Sequence, residues 1–343
     1  MARYTRSQAK SWARSLSGYL VVLATPFDDA GELDEEGLKR NVDYTLSLPG
    51  ATGLYLSSNY QEFWTMTLAE RKRVTEIVVE TAAGRGTVMV GITDPSSRNA
   101  VDLARHAERA GADMLMLWPP FYGPRSDDGM MAYFEYVAER VDLGICTYST
   151  TISELGFYIT PDLACRLADI DTVCALKEGS RSLSGYTGMM EAAGDKLVVS
   201  SPLEEYALFG LATYGRPRVP AVLLGSSRPL YVQSQSQPNC AVFAEALGKG
   251  DVAKASEALA KILDAANRIH NRFVSKGTHH VALFKYITSL HGMAAGPVRA
   301  PLTPPGAWEM EEARKVLTEV GVLPDVTGER PGIRGLTIRE SAK

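Results

Sequence analysis

The chain has 343 residues, 45% of them hydrophobic and 22% charged, with a formal net charge of −4. That length can bury a large core, as one barrel with an extension or as two domains. A pI near 5.8 argues against an electrostatic grip on nucleic acid, and no apolar run nears the roughly 20 residues of a membrane helix, so neither partner is expected.

Residues 1–17 carry Arg3, Arg6, Lys10 and Arg14 and no acid. They lack a clear cleavage signal, so they read as a solvated or interface-packed N-terminal leader rather than an organelle transit peptide. Short β-rich apolar runs then recur at Gly18–Thr25, Gly53–Ser58, Thr87–Ile92, Asp113–Trp118, Leu143–Tyr148, Thr172–Lys177, Lys196–Ser201 and Arg218–Gly225. Between them the apolar residues fall at helical period. Leu38, Val42 and Leu46 share one face, as do Val74, Val78 and Ala82, and Ala100, Leu103, Ala104, Ala107 and Ala110. Thr67 and Glu70 form a capping box, and Thr160-Pro161 opens another helix.

Strands alternating with helices imply parallel pairing, and eight such units predict an α/β fold, a (β/α)₈ TIM barrel over 18–234. An open doubly wound sheet would call for a glycine-rich phosphate turn after the first strand. The stretch Ala24-Thr25-Pro26-Phe27-Asp28 is not one. Helical patterns without strands follow over 235–322, read as a C-terminal helical extension packed on the barrel. Residues 323–343, rich in Pro, Gly and charge, read as a surface tail.

The cysteines Cys146, Cys165, Cys174 and Cys240 form no CxxC pair and no zinc spacing with histidine. Cys146 and Cys174 fall inside predicted strands as small hydrophobes. This usage fits a reducing compartment, and a cytoplasmic protein is expected.

In such a barrel the chemistry sits at the carboxyl ends of the strands. Those ends offer Thr25, the run Ser57-Ser58-Asn59-Tyr60, Thr93, Tyr122, Tyr148, Lys177, Ser200 with Ser201, and Gly225 with Ser226 and Ser227. No His or Asp cluster is among them, so neither a metal nor any other cofactor is expected. Lys177 closes an apolar run. Alone, it could simply mark where a strand meets water. A buried amine, however, loses its proton more easily and can attack a carbonyl carbon, and phenols beside it can shuttle protons.

The order of motifs resembles the dihydrodipicolinate synthase / N-acetylneuraminate lyase family of class I, Schiff-base aldolases. The likeness spans roughly residues 18–305. It rests on Ala24-Thr25-Pro26-Phe27 with Gly31 and Asp34, Glu62-Phe63, Leu68 and Glu70-Arg71. It continues through Gly111-Ala112-Asp113, Pro120-Phe121-Tyr122 with Pro124 and Gly129, Tyr148, and Lys177-Glu178. Lys285, Gly296, Val298-Arg299 and Pro301-Leu302 complete it. The resemblance implies an imine between Lys177 and pyruvate or a related 2-oxo acid. It makes Tyr148 the proton relay, Tyr122 a phenol inserted into a neighbouring subunit, and the protein a homo-oligomer, dimer or tetramer. It points to Ser58, Asn59, Tyr60, Thr25, Ser201, Gly225 and Ser226 as substrate-binding candidates.

Two departures stand out. The family's second-strand motif is glycine, two hydroxyl residues, glycine, glutamate, whereas here the stretch is Ser58-Asn59-Tyr60-Gln61-Glu62. A changed backbone, and a pocket altered by the bulk of Tyr60, are expected. The arginine that lysine-pathway members keep after the relay tyrosine is also missing from residues 149–156, and Glu154 would repel an anionic aldehyde. Dihydrodipicolinate synthesis itself is therefore not expected. Arg181 and Arg228 could restore the positive charge, though each reads first as a solvated residue at a helix start. Two other readings stay open: an imine-dependent dehydratase or deaminase of a sugar-acid-like or hydroxy-amino-acid substrate, and an inactive metabolite-binding barrel.

Overall fold

In the computed structural model, residues 3–123, 126–151, 158–272 and 280–323 are described. Pro124, Glu154 and the tail from 324 onward lie outside them. Eight strands, β1 (Ser17–Val22), β2 (Ala51–Leu56), β3 (Thr87–Gly91), β4 (Met114–Leu117), β5 (Ile145–Thr150), β6 (Val173–Gly179), β7 (Val198–Ser200) and β8 (Ala221–Ser226), run in the order β7-β6-β5-β4-β3-β2-β1-β8. Every ladder is parallel. Strand positions are nearly all buried, because side chains on one face fill the barrel and those on the other meet the helices.

The seam between β7 and β8 is bridged by a side chain. Ser200 Oγ donates to Val222 O at 2.7 Å and accepts from Leu224 N at 3.1 Å. A hydroxyl thus stands where a ladder would otherwise close the ring.

Helices α2 (Glu35–Ser47), α3 (Leu68–Ala82), α4 (Ser97–Ala110), α5 (Asp127–Ala138), α6 (Pro161–Leu167), α7 (Leu183–Ala193) and α8 (Glu204–Tyr214) alternate with the strands. Most start at a hydroxyl or carboxylate cap, two of which the sequence indicated. Thr67 with Glu70 forms the capping box of α3, and Thr160 with Pro161 opens α6. Among the described residues, four further α-helices follow β8: α9 (Asn239–Lys249), α10 (Val252–Ala266), α11 (His280–Leu290) and α12 (Ala307–Glu319).

The basic leader, expected to be solvated or packed on an interface, packs on the barrel through Tyr4, Ala9 and Ala13 and leaves Thr5, Ser7, Ser11 and Ser15 exposed. Its helix α1 (Ala9–Ser15) lies across the barrel's amino-terminal end. Arg6 donates to Ala138 O and Val141 O at 2.8 and 3.0 Å, Lys10 to Ala168 O at 2.6 Å, and Arg14 to Gly194 O at 3.1 Å. These carbonyls end α5, α6 and α7, where the helix dipole favours cations and acceptors lack partners. Tyr4 stacks on Trp12 at 4.3 Å, and its hydroxyl joins Asp113 O to Gly144 N at 2.7 and 2.8 Å.

The C-terminal helices brace the opposite end. Lys285 of α11 reaches Glu62 at 2.7 Å, and the Arg299 backbone N–H donates to the same carboxylate at 2.9 Å. Among the described residues, no helix is long and apolar enough to cross a membrane.

Candidate active site

Lys177 lies near the carboxyl end of β6, 4% exposed. Its Nζ donates to Gly225 O at 2.8 Å and sits 4.7 Å from the Tyr148 ring centre and 5.4 Å from that of Tyr55. Burial strips water from the ammonium and lowers its pKa to about 7, opposed by the nearby Cys146 thiol. Much of the amine is therefore neutral at neutral pH. Glu178 follows at once, but successive strand residues face opposite ways. Its carboxylate accepts from Ser180 N at 2.8 Å, and burial raises its pKa.

Tyr148 is the register partner of Lys177 on β5. Burial pushes its phenol up to about 12, against a hydrogen bond with Thr150 and the charge of Arg181. It is a phenol that keeps its proton at neutral pH and can lend it. Trp118 at 5.2 Å, with Phe63 behind it at 5.5 Å, walls the ring in.

Gly225 has φ +71°, and a Cβ there would lie 2.7 Å from Lys177 Nζ and 2.7 Å from Tyr55 Cδ1. Only glycine lets β8 approach this closely while offering its carbonyl. Gly179 is similar, since a Cβ would fall 3.0 Å from Tyr148 Oη.

The turn after β2 takes a changed backbone, but not where the two lost glycines suggested. Ser58 has φ −86°, while the flanking Ser57 and Glu62 adopt left-handed φ of 49°. Gln61 accepts from Ser57 N through its side chain, and Thr25 Oγ1 donates to Gln61 O at 3.2 Å. The buried hydroxyls of Ser57 and Ser58 find no protein partner. Asn59 is buried beside them. Tyr60 packs edge-on against Phe284 of α11 at 4.8 Å and hydrogen-bonds the Ser227 side chain. Its bulk thus lies toward α11 and the β8 loop.

Other expected residues behave differently. Ser201 Oγ accepts from Leu203 N at 3.1 Å and Ser226 Oγ from Arg228 N at 3.3 Å, so both hydroxyls shape local turns. Tyr122, 82% exposed, does not join the cluster within this chain. Arg228 does begin a short helix, the 3-10 turn Arg228–Leu230, but it is not solvated. At 2% exposure it pairs with Glu204 and, through both oxygens, with Glu205. Arg181 is exposed, with φ 53°.

Sequence reasoning passed over Tyr55 and Tyr231. Tyr55 alternates with Gly53 along β2, on the face that meets Lys177, so period-two reading of the strand could have found it. Tyr231, which hydrogen-bonds Ser227, follows β8 with no periodic signal. Among the described residues, no group of three or more His, Cys, Asp or Glu could hold a metal ion.

A buried strand-end lysine, a phenol on the next strand and a turn of buried hydroxyls are the parts that the resemblance had implied. The sequence model of the Dihydrodipicolinate synthetase family matches residues 15–320. The chain belongs to this family. It is 31% identical over 314 residues to the 4-hydroxy-tetrahydrodipicolinate synthase of Methanothrix thermoacetophila, covering 91% of this chain and 98% of that one. The synthase of the same name from Pelobacter propionicus is 31% identical over 307 residues, covering 89% and 99%. Among solved structures, the fold is shared with YagE, a prophage protein of E. coli K12 in complex with pyruvate. The TM-score is 0.77 at 22% identity, over 89% of this chain and 99% of that one. The (β/α)₈ barrel is thus the family fold. The relatives' names lend no support to the expectation that dihydrodipicolinate synthesis is excluded.

Proposed function

We propose that this family member is a class I aldolase or lyase that binds pyruvate or a related 2-oxo acid as an imine on Lys177 and makes or breaks a carbon–carbon bond through it. The observation that carries the reading is the Lys177 amine. It is buried and shifted to a pKa of about 7, held at 2.8 Å by Gly225 O, with a protonated phenol alongside.

The neutral amine attacks C2 of the oxo acid. Nitrogen loses a proton and the oxygen gains one, giving a carbinolamine. Tyr148 protonates the departing hydroxyl, water leaves, and the lone pair on nitrogen closes the imine. The protonated imine draws electrons from C3. Loss of a C3 proton gives an enamine that attacks an aldehyde, and the reverse sequence cleaves the aldol. The unpartnered hydroxyl of Ser58 and the adjacent turn suit the substrate carboxylate.

The curated relatives' name makes 4-hydroxy-tetrahydrodipicolinate synthesis the first activity to assay. An inactive binding barrel accounts less well for the site, because a merely structural lysine gains nothing from burial beside a single carbonyl. The exposed Tyr122 suits contact with a second copy, and a homo-oligomer belongs to the proposal. The four free cysteines suit a reducing compartment such as the cytoplasm.

Borohydride added to enzyme and pyruvate tests the reading. Peptide mapping is expected to place one reduced adduct on Lys177, and Lys177→Ala to lose both adduct and turnover. Turnover surviving in that variant overturns the imine mechanism.

A further inference from the structure

Tyr55 is a fully buried tyrosine on β2, four strands from β6 in the order of the sheet and so on the opposite wall of the barrel. Its ring nevertheless faces the reacting amine, with Lys177 Nζ over the ring at 5.4 Å from its centre. Gly225 of β8 is what lets the two walls meet. A Cβ there would lie 2.7 Å from Nζ, 2.7 Å from Tyr55 Cδ1 and 3.2 Å from Tyr55 Cε1, so the amine and the ring edge border the same gap. The Tyr148 ring also stands over Nζ, at 4.7 Å. The Tyr55 hydroxyl points toward the Trp118 indole without a well-aligned hydrogen bond. Its polar tip fastens nothing firmly, which leaves the ring as the part that meets the site.

Imine chemistry at Lys177 passes through a cation held out of water. A neutral amine and a ketone become a protonated imine and water by taking up one proton, and the positive charge then spans the nitrogen and C2. A buried charge needs a partner. Among the described residues, no carboxylate forms an ion pair with Lys177. Glu178 is turned to Ser180 N, Glu62 is paired with Lys285, and Glu204 with Arg228. The Gly225 carbonyl offers one acceptor at 2.8 Å. Beyond it, the described groups that face the nitrogen with negative potential are the two phenol rings.

We propose that the ring face of Tyr55, together with that of Tyr148, stabilises the cationic imine by cation–π attraction, in place of the carboxylate that the site does not supply. The attraction acts on the protonated imine and not on the neutral amine or carbinolamine, so it favours imine formation rather than substrate binding in general. The proposal rests on the imine reading and adds the group that balances the charge.

The test grades the electron density of the ring while keeping its shape. Tyr55→Phe is the reference, and phenylalanines bearing one, two and three ring fluorines are placed at the same position. For each protein, the pyruvate concentration that half-saturates borohydride trapping is read by intact mass after equilibration at pH 8.5 and at pH 5, with reduction at one common pH. Lys177, at about 7, is a neutral amine at the higher value, where only the imine carries charge. Half-saturation there is expected to rise stepwise with fluorine, reaching roughly 3- to 30-fold for three. At pH 5 the free lysine is already an ammonium and loses the same attraction, so the rise should stay within about twofold. Tyr55→Leu, which fills the space without a π face, is expected to show the same pattern. Half-saturation that stays flat along the series at pH 8.5, or a Tyr55→Leu variant that matches the reference there, overturns the proposal. So does a rise of equal size at both pH values, which is what a distorted pocket would give. No pyruvate adduct in the wild type would instead overturn the imine reading, and this inference with it.

Discussion

The depressed pKa of Lys177 has a measurable consequence for imine formation. An ordinary lysine, at 10.5, would be neutral in a vanishing fraction of molecules at pH 6, and that fraction would rise a hundredfold by pH 8 and keep rising beyond pH 10. At about 7, roughly one amine in eleven is neutral at pH 6 and ten in eleven at pH 8. The rate of adduct formation should therefore rise about tenfold between those values and then level off. Tyr148, at about 12, keeps its proton throughout. The assay mixes enzyme and pyruvate at each pH for a short fixed time and quenches into borohydride at one common pH. A rate still climbing at pH 10 would refute the desolvation argument. Stability carries the same signature. Between pH 7 and 10.5 the unfolded chain holds a proton on Lys177 that the folded chain does not, so this group makes stability rise with pH across that window. Below pH 7 the folded state must bury a charge, and Lys177→Met should be the more stable protein there, by an amount on the order of a few kcal/mol. Urea unfolding at pH 6 measures it, and a variant less stable than wild type would contradict it.

Other expectations follow from single contacts. Gly225→Ala forces a Cβ against Lys177 Nζ at a left-handed φ, so trapping should fall at least about tenfold and stability by about 1 kcal/mol or more; unchanged trapping would deny the close approach a role. Tyr148→Phe should slow turnover by roughly 10²–10⁴-fold while pyruvate still binds, and a full-rate variant would exclude the phenol as acid–base. Lys285→Met takes the countercharge from the buried Glu62 carboxylate, leaving it the Arg299 N–H alone, and should cost about 3–5 kcal/mol in urea unfolding. Tyr4→Phe strips the hydroxyl joining Asp113 O to Gly144 N and should cost about 1–3 kcal/mol, whereas an equal melting temperature would show that the leader contributes little.

The barrel was legible because strand and helix periods differ and because caps such as Thr67 and Thr160 are local chemistry. Lys177 and Tyr148 were legible as strand ends, and the register of adjacent parallel strands then brings them together. What the sequence hid was long-range. Arg228 looks like a solvated helix-start residue; it does open a short 3-10 turn, but Glu204 and Glu205 of α8 fold over it. The leader's cations give no sign of where they pack until the ends of α5, α6 and α7 present their carbonyls to them. The β2 turn misled for a backbone reason: the left-handed strain moved from the glycine positions to Ser57 and Glu62, which no composition rule marks. The bulk of Tyr60 was expected to alter the pocket, and the surface it packs on comes from Phe284, over two hundred residues later in the chain.

The central claim is a covalent bond from Lys177 to a 2-oxo acid inside the barrel mouth. A crystal soaked with pyruvate tests it directly. The account predicts unbroken electron density from Lys177 Nζ to the substrate's second carbon, with the carboxylate on the turn at Ser58 and the Tyr148 hydroxyl within reach of the new bond. Pyruvate bound elsewhere, with the amine still resting on Gly225 O, would contradict it.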